Sequence, residues 1–194
     1  MPHDKDRTHW HEPAGNKKAG FGEFKKQPTP YDAFMESEGI PVFRDIGISK
    51  VQNLPLAPWK RTGGRGTYIQ LHGTEGKWGT YLVEVPGAGA LNAEKHLYEE
   101  IYYVVEGRGT TEVWLDKDSK RHVFEWQKGS CFSIPLNASH RFVNATNSPA
   151  LLYCGTTAPN VMNLYDNINF IFSKFSIRYL PHGYINEGQL MGIC

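Results

Sequence analysis

The chain has 194 residues, of which 21 are basic and 20 acidic, for a net charge of +1. That length holds one domain with a full hydrophobic core and some extra chain. The charge balance excludes a basic nucleic-acid-binding face, because no lysine or arginine cluster forms a stripe. The three cysteines, Cys131, Cys154 and Cys194, are odd in number and unrelated in spacing, which argues against a disulfide framework and for a reducing compartment.

The N-terminus, MPHDKDRTHWHEPAGNKK, lacks the apolar core of a signal peptide, and no apolar run approaches membrane-spanning length. A soluble, cytoplasmic protein is expected, with neither membrane nor nucleic acid as a partner. Residues 1–27 are polar, charged and glycine-containing, and read as a mobile arm; His9 and His11 inside it are taken as solvated. A short helix is predicted over 30–38, with Thr29 as its cap, Pro30 in its first turn and Gly39 at its end. Residues 41–43 read as extended and 55–66 as a linker rich in Pro, Gly and Arg. The arm and linker together, 1–65, form the first, partly disordered segment.

From residue 67 the pattern changes to short strands broken by turns: 67–71, 80–85, 96–105, 110–115, 121–126, 130–134, 140–143 and 150–155. Glycine-bearing turns such as 107–109 and 128–129 separate several of them. Strands at this spacing without intervening helices predict an all-β fold, an antiparallel barrel or jelly roll over 66–158 that encloses a pocket. The extension 159–194 carries Phe170, Ile171, Phe172, Phe175 and Ile177, too apolar for water. It is expected to pack on the barrel or at an interface.

Two segments carry the chemistry. The first is ALNAEKHLYEEIYYVVEGRG, residues 90–109. In a strand, residues two apart share a face, so Glu94, His96, Tyr98, Glu100 and Tyr102 would line one side. Charged groups buried in a closed barrel need a partner, and a metal ion is the simplest one. The second is KGSCFSIPLNASHRFVN, residues 128–144. There Lys128 and Gly129 make a turn, Pro135 ends a strand, and His140, Phe142 and Asn144 share a face. His140 would meet His96 and Glu100 across the barrel.

These segments resemble the two motifs of the cupin superfamily. His96, Glu100 and Gly107 fall at the spacing of the first motif, with Glu94 where its first histidine stands. Gly129, Pro135, His140 and Asn144 fall at the spacing of the second, with Asn137 in place of a glycine. Asparagine is the next best residue for a left-handed backbone. The resemblance implies a double-stranded β-helix (jelly-roll) barrel and a metal set of Glu94, His96, Glu100 and His140. The string EKHLYEEIYYVVEGRGTTEVW is also similar to the N-terminal half of a two-barrel cupin family of poorly defined function. That implies a stand-alone half or a truncated product.

Glu94 opens two geometries. As a ligand it gives two carboxylates and two imidazoles, which neutralise a divalent ion and favour Mn or Fe. If it points away, His96, Glu100 and His140 form the two-histidine, one-carboxylate triad of non-haem Fe(II) oxygenases. The expected cofactor is one divalent metal, Fe(II) first, with Mn, Zn or Ni as alternatives. Tyr98 and Tyr102 are catalytic candidates that could contact substrate or donate a proton, against ordinary barrel filling.

The expected function is a metal-dependent dioxygenase acting on a small organic acid or aromatic. A non-oxidative decarboxylase, isomerase or lyase and a non-catalytic binding domain are the alternatives. Leu97, Ile101, Tyr103 and Val105 make the other face of the central strand apolar as well. A strand apolar on both faces is covered on both, which points to a homodimer or a second cupin barrel as partner. Cys131 and Cys154 are expected to be buried, and His72, His122 and His182 to lie on the surface.

Overall fold

The computed structural model describes residues 28–115 and 120–172. The expected arm at 1–27 with His9 and His11, and Phe175, Ile177, His182 and Cys194, lie outside the described residues.

Helix α1 (Pro30–Ser37) begins as its sequence dictates. Thr29 is extended, its hydroxyl accepts from Asp32 N at 3.1 Å, and Asp32 accepts from Thr29 N at 3.0 Å. This reciprocal box satisfies two backbone donors that the helix start leaves open, and Pro30 loses nothing in the first turn. Gly39 takes a φ of +69° just past the end, the left-handed exit that glycine adopts without strain. Tyr31, Phe34 and Met35 are buried, an i, i+3, i+4 stripe turned to the core.

The strands follow as β1 (Val42–Asp45), β2 (Ala57–Trp59), β3 (Gly64–Leu71), β4 (Gly79–Val85), β5 (Gly89–Ala90), β6 (Glu100–Glu106), β7 (Arg108–Trp114), β8 (His122–Gln127), β9 (Cys131–Ile134), β10 (Ser139–Asn144) and β11 (Ala150–Thr156). A seven-stranded sheet runs β1-β3-β4-β11-β6-β9, with β2 also on β3, and a four-stranded sheet runs β5-β10-β7-β8. Among the described residues, only β1 and β3 pair in parallel; the other pairings are antiparallel. The expected jelly roll is therefore present. Alternate residues of the two sheets fill its interior, including Tyr68, Tyr81, Val83, Tyr102, Val104, Trp126, Phe142 and Leu152.

Residues 28–65 are more than the expected linker. Helix α1 contributes to the main core, and β1 and β2 extend the large sheet. A second cluster outside that sheet packs Ile69, Leu82 and Val105 under Phe43, Ile48, Val51, Leu54 and Leu56. Two further helices, α2 (Ala158–Tyr165) and α3 (Ile168–Ile171), follow the last strand. Met162 and Ile171 are fully buried, and Tyr31 N donates to Asn163 Oδ1 at 2.9 Å. This part of the C-terminal extension thus packs on the barrel beside α1. No helix among the described residues is long and apolar enough to cross a membrane.

Two local expectations are corrected. The central strand starts at Glu100, not at residue 96. The backbone before it is engaged elsewhere: Asn137 N donates to His96 O at 3.1 Å and Leu97 N to Ile171 O at 2.9 Å. A loop whose hydrogen bonds are taken by a turn and by α3 has none left for a sheet ladder. Cys154 is buried as expected, but Cys131 is exposed, because it lies on the outer face of β9, at the sheet edge. On the outer face of β6, among the described residues of the single chain, Val105 is buried while Ile101 is 45% and Tyr103 48% exposed.

Candidate metal centre

His140 lies on β10, on the inward side shared with Phe142 and Asn144. The turn before β10 bends at Asn137, whose φ is +60°, in the region that asparagine tolerates best after glycine. The same turn anchors the His96 loop through Asn137 N. Asn144 closes the other end of β10. Its Oδ1 accepts from Thr146 N at 2.9 Å and Thr146 Oγ1 at 2.7 Å, and its Nδ2 donates to Ser148 O at 2.8 Å. The asparagine of the second motif is therefore a turn-holding residue.

His96, Glu100 and His140 converge, with one ligand atom of each within 4.8 Å of the others. They are 3%, 3% and 1% exposed. His96 Nδ1 lies 3.0 Å from Tyr98 O, and a carbonyl only accepts, so Nδ1 carries a proton. His96 Nε2 then faces Glu100 Oε2 at 3.0 Å. The His140 ring has Nδ1 at 3.4 Å from Ala138 O and Nε2 at 4.0 Å from Glu100 Oε2. Among the described residues, the buried His140 Nε2 has no hydrogen-bond partner.

Electrostatics sort the three groups. Burial alone would push His96 down, but Glu100 beside it overcomes this and raises it. Burial would raise Glu100, but the neighbouring His96 holds it well below the usual carboxylate range. Burial, aided by His96, lowers His140 and keeps it neutral. Without a metal the trio is a buried His96–Glu100 ion pair beside a neutral imidazole with a lone pair aimed inward. A divalent cation in place of the shared proton would satisfy all three groups, including the orphaned His140 Nε2. The donor set fits a metal of the borderline class that takes imidazole and carboxylate together.

Glu94 does not join the trio. Its backbone pairs with that of His140, N to O at 2.9 Å in both directions. Its side chain turns away and accepts from Arg61 Nη1. Arg61 also donates through Nε to Glu38 Oε2 at 2.6 Å, and Glu38 accepts from Trp59 Nε1. A guanidinium within reach captures a carboxylate with charge-assisted hydrogen bonds, and in this arrangement Glu94 lies outside the converging trio.

The two tyrosines contact the ligand groups rather than open space. Tyr98 stacks on the His96 ring, 3.8 Å between centroids and 3° between planes. Tyr102 donates its hydroxyl to Glu100 Oε2 at 2.6 Å. Burial, with Glu100 adding to it, pushes both phenols well above their ordinary value, so both stay protonated near neutral pH.

Sequence reasoning missed three residues here. Tyr81 donates to Glu100 Oε1 at 2.7 Å. Arg61 holds Glu94, with its guanidinium 4.7 Å from the Trp59 ring, 5.7 Å from Phe34 and 5.5 Å from Phe172. Phe172 meets both His96, at 6.4 Å between ring centroids, and Tyr98, at 6.0 Å. Arg61 has no sequence signal, and the apolar character of Phe172 pointed to packing on the barrel or at an interface without placing it beside His96. Tyr81 had a partial signal: it sits in a predicted strand, but only the register, Tyr81 opposite Cys154 and Cys154 opposite Tyr102, places it in one row with Tyr102, which lies two residues from Glu100 on the same face of β6.

A family model described as "Cupin domain" matches residues 81–155. The chain is 34% identical over 73 residues to an uncharacterized protein of Methanocaldococcus jannaschii, a match covering 38% of this chain and 54% of that one. The aligned part thus spans about half of that relative's length. Similar solved structures include Lactobacillus farciminis oxalate decarboxylase in its formate complex, at a TM-score of 0.47 and 22% identity over 56% of this chain and 32% of that one. The cupin domain of Schizosaccharomyces pombe Cnp3 is similar at a TM-score of 0.48 and 13% identity, over 61% and 79% of the two chains. With the jelly roll in place, the family match identifies residues 81–155, the segment that carries both motifs, as a cupin domain.

Proposed function

We propose that the barrel holds one divalent metal through His96 Nε2, Glu100 Oε2 and His140 Nε2, and that the protein is a mononuclear non-haem iron dioxygenase acting on a small organic acid or aromatic. The observation that carries this reading is the buried, unpartnered His140 Nε2 directed at Glu100. A bare imidazole nitrogen with 1% exposure is costly unless something binds it. Glu94 is held by Arg61, which leaves a two-histidine, one-carboxylate set, the ligand type of Fe(II) oxygenases.

Fe(II) in such a set supplies a Lewis acid and a redox partner for dioxygen, with coordination positions left for substrate. The protein's own residues do the rest. Tyr98 and the Tyr98 carbonyl fix the plane and tautomer of His96. The Ala138 carbonyl does the same for His140. Phe34, Phe172 and Arg61 cover the His96 side of the trio and exclude bulk water there.

Metal analysis of protein purified without oxygen tests the site. One equivalent of a divalent metal is expected in the wild type and in Glu94→Ala, and none in His140→Ala. Full metal content in His140→Ala would overturn the proposal. Oxygen uptake by the iron-loaded protein with a panel of small acids and phenols tests the chemistry. Turnover that proceeds equally well without dioxygen would replace the dioxygenase reading by a non-oxidative one.

A further inference from the structure

We infer that Tyr81 is a positioning residue that confines Glu100 to metal ligation through a single oxygen, with Tyr102 as its partner in the same device. This rests on the reading that Glu100 is a metal ligand.

The two oxygens of Glu100 have different neighbours. Oε2 faces both histidines, 3.0 Å from His96 Nε2 and 4.0 Å from His140 Nε2. Oε1 receives the Tyr81 hydroxyl at 2.7 Å. Tyr102 donates to Oε2 at 2.6 Å, and the two phenol oxygens are 2.8 Å apart. All of these groups are buried, Tyr102 and Glu100 almost completely.

Each phenol has one proton, so at any instant only two of the three contacts among Tyr81, Tyr102 and Glu100 are hydrogen bonds. Charge decides which. A hydrogen bond to an ionised carboxylate is about twice as strong as one between neutral groups, so both protons go to Glu100. Oε1 is then occupied by Tyr81, and the carboxylate is pinned at both ends. A free carboxylate can bind a metal through one oxygen or two; here only Oε2 is directed into the trio.

The tyrosines hold these places through the sheet. Tyr81, Cys154 and Tyr102 sit opposite one another on β4, β11 and β6. The Tyr81 ring is packed edge-on against Trp59 at 5.2 Å and Tyr68 at 6.2 Å. The hydroxyl is thus delivered by a rigid wall of the barrel. Groups of this kind, hydrogen-bonded to a ligand, change metal affinity by about 10- to 100-fold when removed. The consequence for the site is an additional coordination position kept open, because a second carboxylate oxygen would fill it.

The test uses Co(II) added to the metal-free protein, with wild type and Tyr81→Phe compared by visible absorption and by competition with a chelator. The expected result is that Tyr81→Phe still binds Co(II), about 10- to 100-fold more weakly, with a weaker visible band as the freed oxygen raises the coordination number. Infrared spectra of the Co(II)-loaded wild type, with its glutamates isotope-labelled, give a measurement that needs no variant. The wide separation of the two carboxylate stretches that marks one-oxygen ligation is expected, and a narrow separation would overturn the inference. An unchanged affinity and spectrum in Tyr81→Phe would overturn it as well. A wild type that binds no Co(II) would instead overturn the metal site itself, and this inference with it.

Discussion

His140 Nε2 lies buried 4.0 Å from Glu100 Oε2 and has no hydrogen-bond partner among the described residues. Glu100 is fully engaged by contrast, with Tyr81 on one oxygen and Tyr102 and His96 on the other. Among the described residues, one group of the trio is thus satisfied and one is not. Leaving a buried polar nitrogen unpaired costs roughly 1–3 kcal/mol. A metal that ligates it should recover this and add its own binding free energy. Thermal unfolding of the wild type should shift upward when Zn(II) or Mn(II) is added, and that of His140→Ala should not. Equal shifts in both proteins would place the metal elsewhere.

The His96–Glu100 pair makes stability and metal binding respond to pH. Glu100 is held well below its ordinary value of about 4.5 by His96, against the effect of burial. Its contribution is present above about pH 4.5 and is lost as pH falls through the lowered value. His96 is raised above its ordinary value of about 6.5 by Glu100, again against burial. Its contribution is complete below about pH 6.5 and is lost as pH rises through the raised value. The contribution of this pair should therefore be greatest between about pH 4.5 and 6.5, while the lowered His140 opposes it on the acid side of 6.5. Metal displaces the His96 proton, so affinity should rise with pH until it levels off at the raised value. Urea midpoints and chelator-competition titrations across pH measure both, and an affinity indifferent to pH would contradict the shared-proton picture.

Arg61 binds two carboxylates and lies against three aromatic rings. Its side chain is 21% exposed, so the ion pairs are partly screened. Arg61→Met should destabilise by about 1–3 kcal/mol, between the values for exposed and fully buried pairs. Most of the loss should reflect Glu38 and Glu94 left together without a cation. Replacing Glu94 by Gln in the same background should then restore part of the stability. Denaturant unfolding of the single and double variants would measure this, and additive losses would argue against the coupling.

Two glycines separate packing from backbone strain. A Cβ at Gly66 would lie 2.4 Å from Trp59 Cε3 and 2.8 Å from Leu82 O, so Gly66→Ala must move the indole that donates to Glu38. A cost of about 1–3 kcal/mol is expected from overpacking. Gly129 has open space around it but a φ of +88°. Gly129→Ala should cost about 1–2 kcal/mol through the left-handed backbone alone, with the metal site untouched. Far- and near-ultraviolet circular dichroism with denaturant melts would distinguish them: only Gly66→Ala should alter the tryptophan signal.

Much of this protein could be read from short-range patterns. The helix start at Thr29, the alternation of most strands and the turns at Asn137 and Gly129 are local chemistry, and local chemistry is written in adjacent residues. The spacing of His96, Glu100 and His140 marked the candidate trio, although the strand expected to carry His96 begins only at Glu100. The ligands converge all the same, because Asn137 and Ile171 hold the His96 loop by its backbone.

The sequence by itself thus determined the fold class and the trio of candidate ligands. The partners of the carboxylates were decided by tertiary structure alone. Glu94 stands where a motif histidine is usual, but Arg61, 33 residues away, captures its side chain. Tyr81 joins Glu100 only through the register of β4, β11 and β6. The physical reason is that a hydrogen bond or ion pair reaches only about 3 Å. Which groups come within that distance depends on chain crossings that no nearby residue encodes.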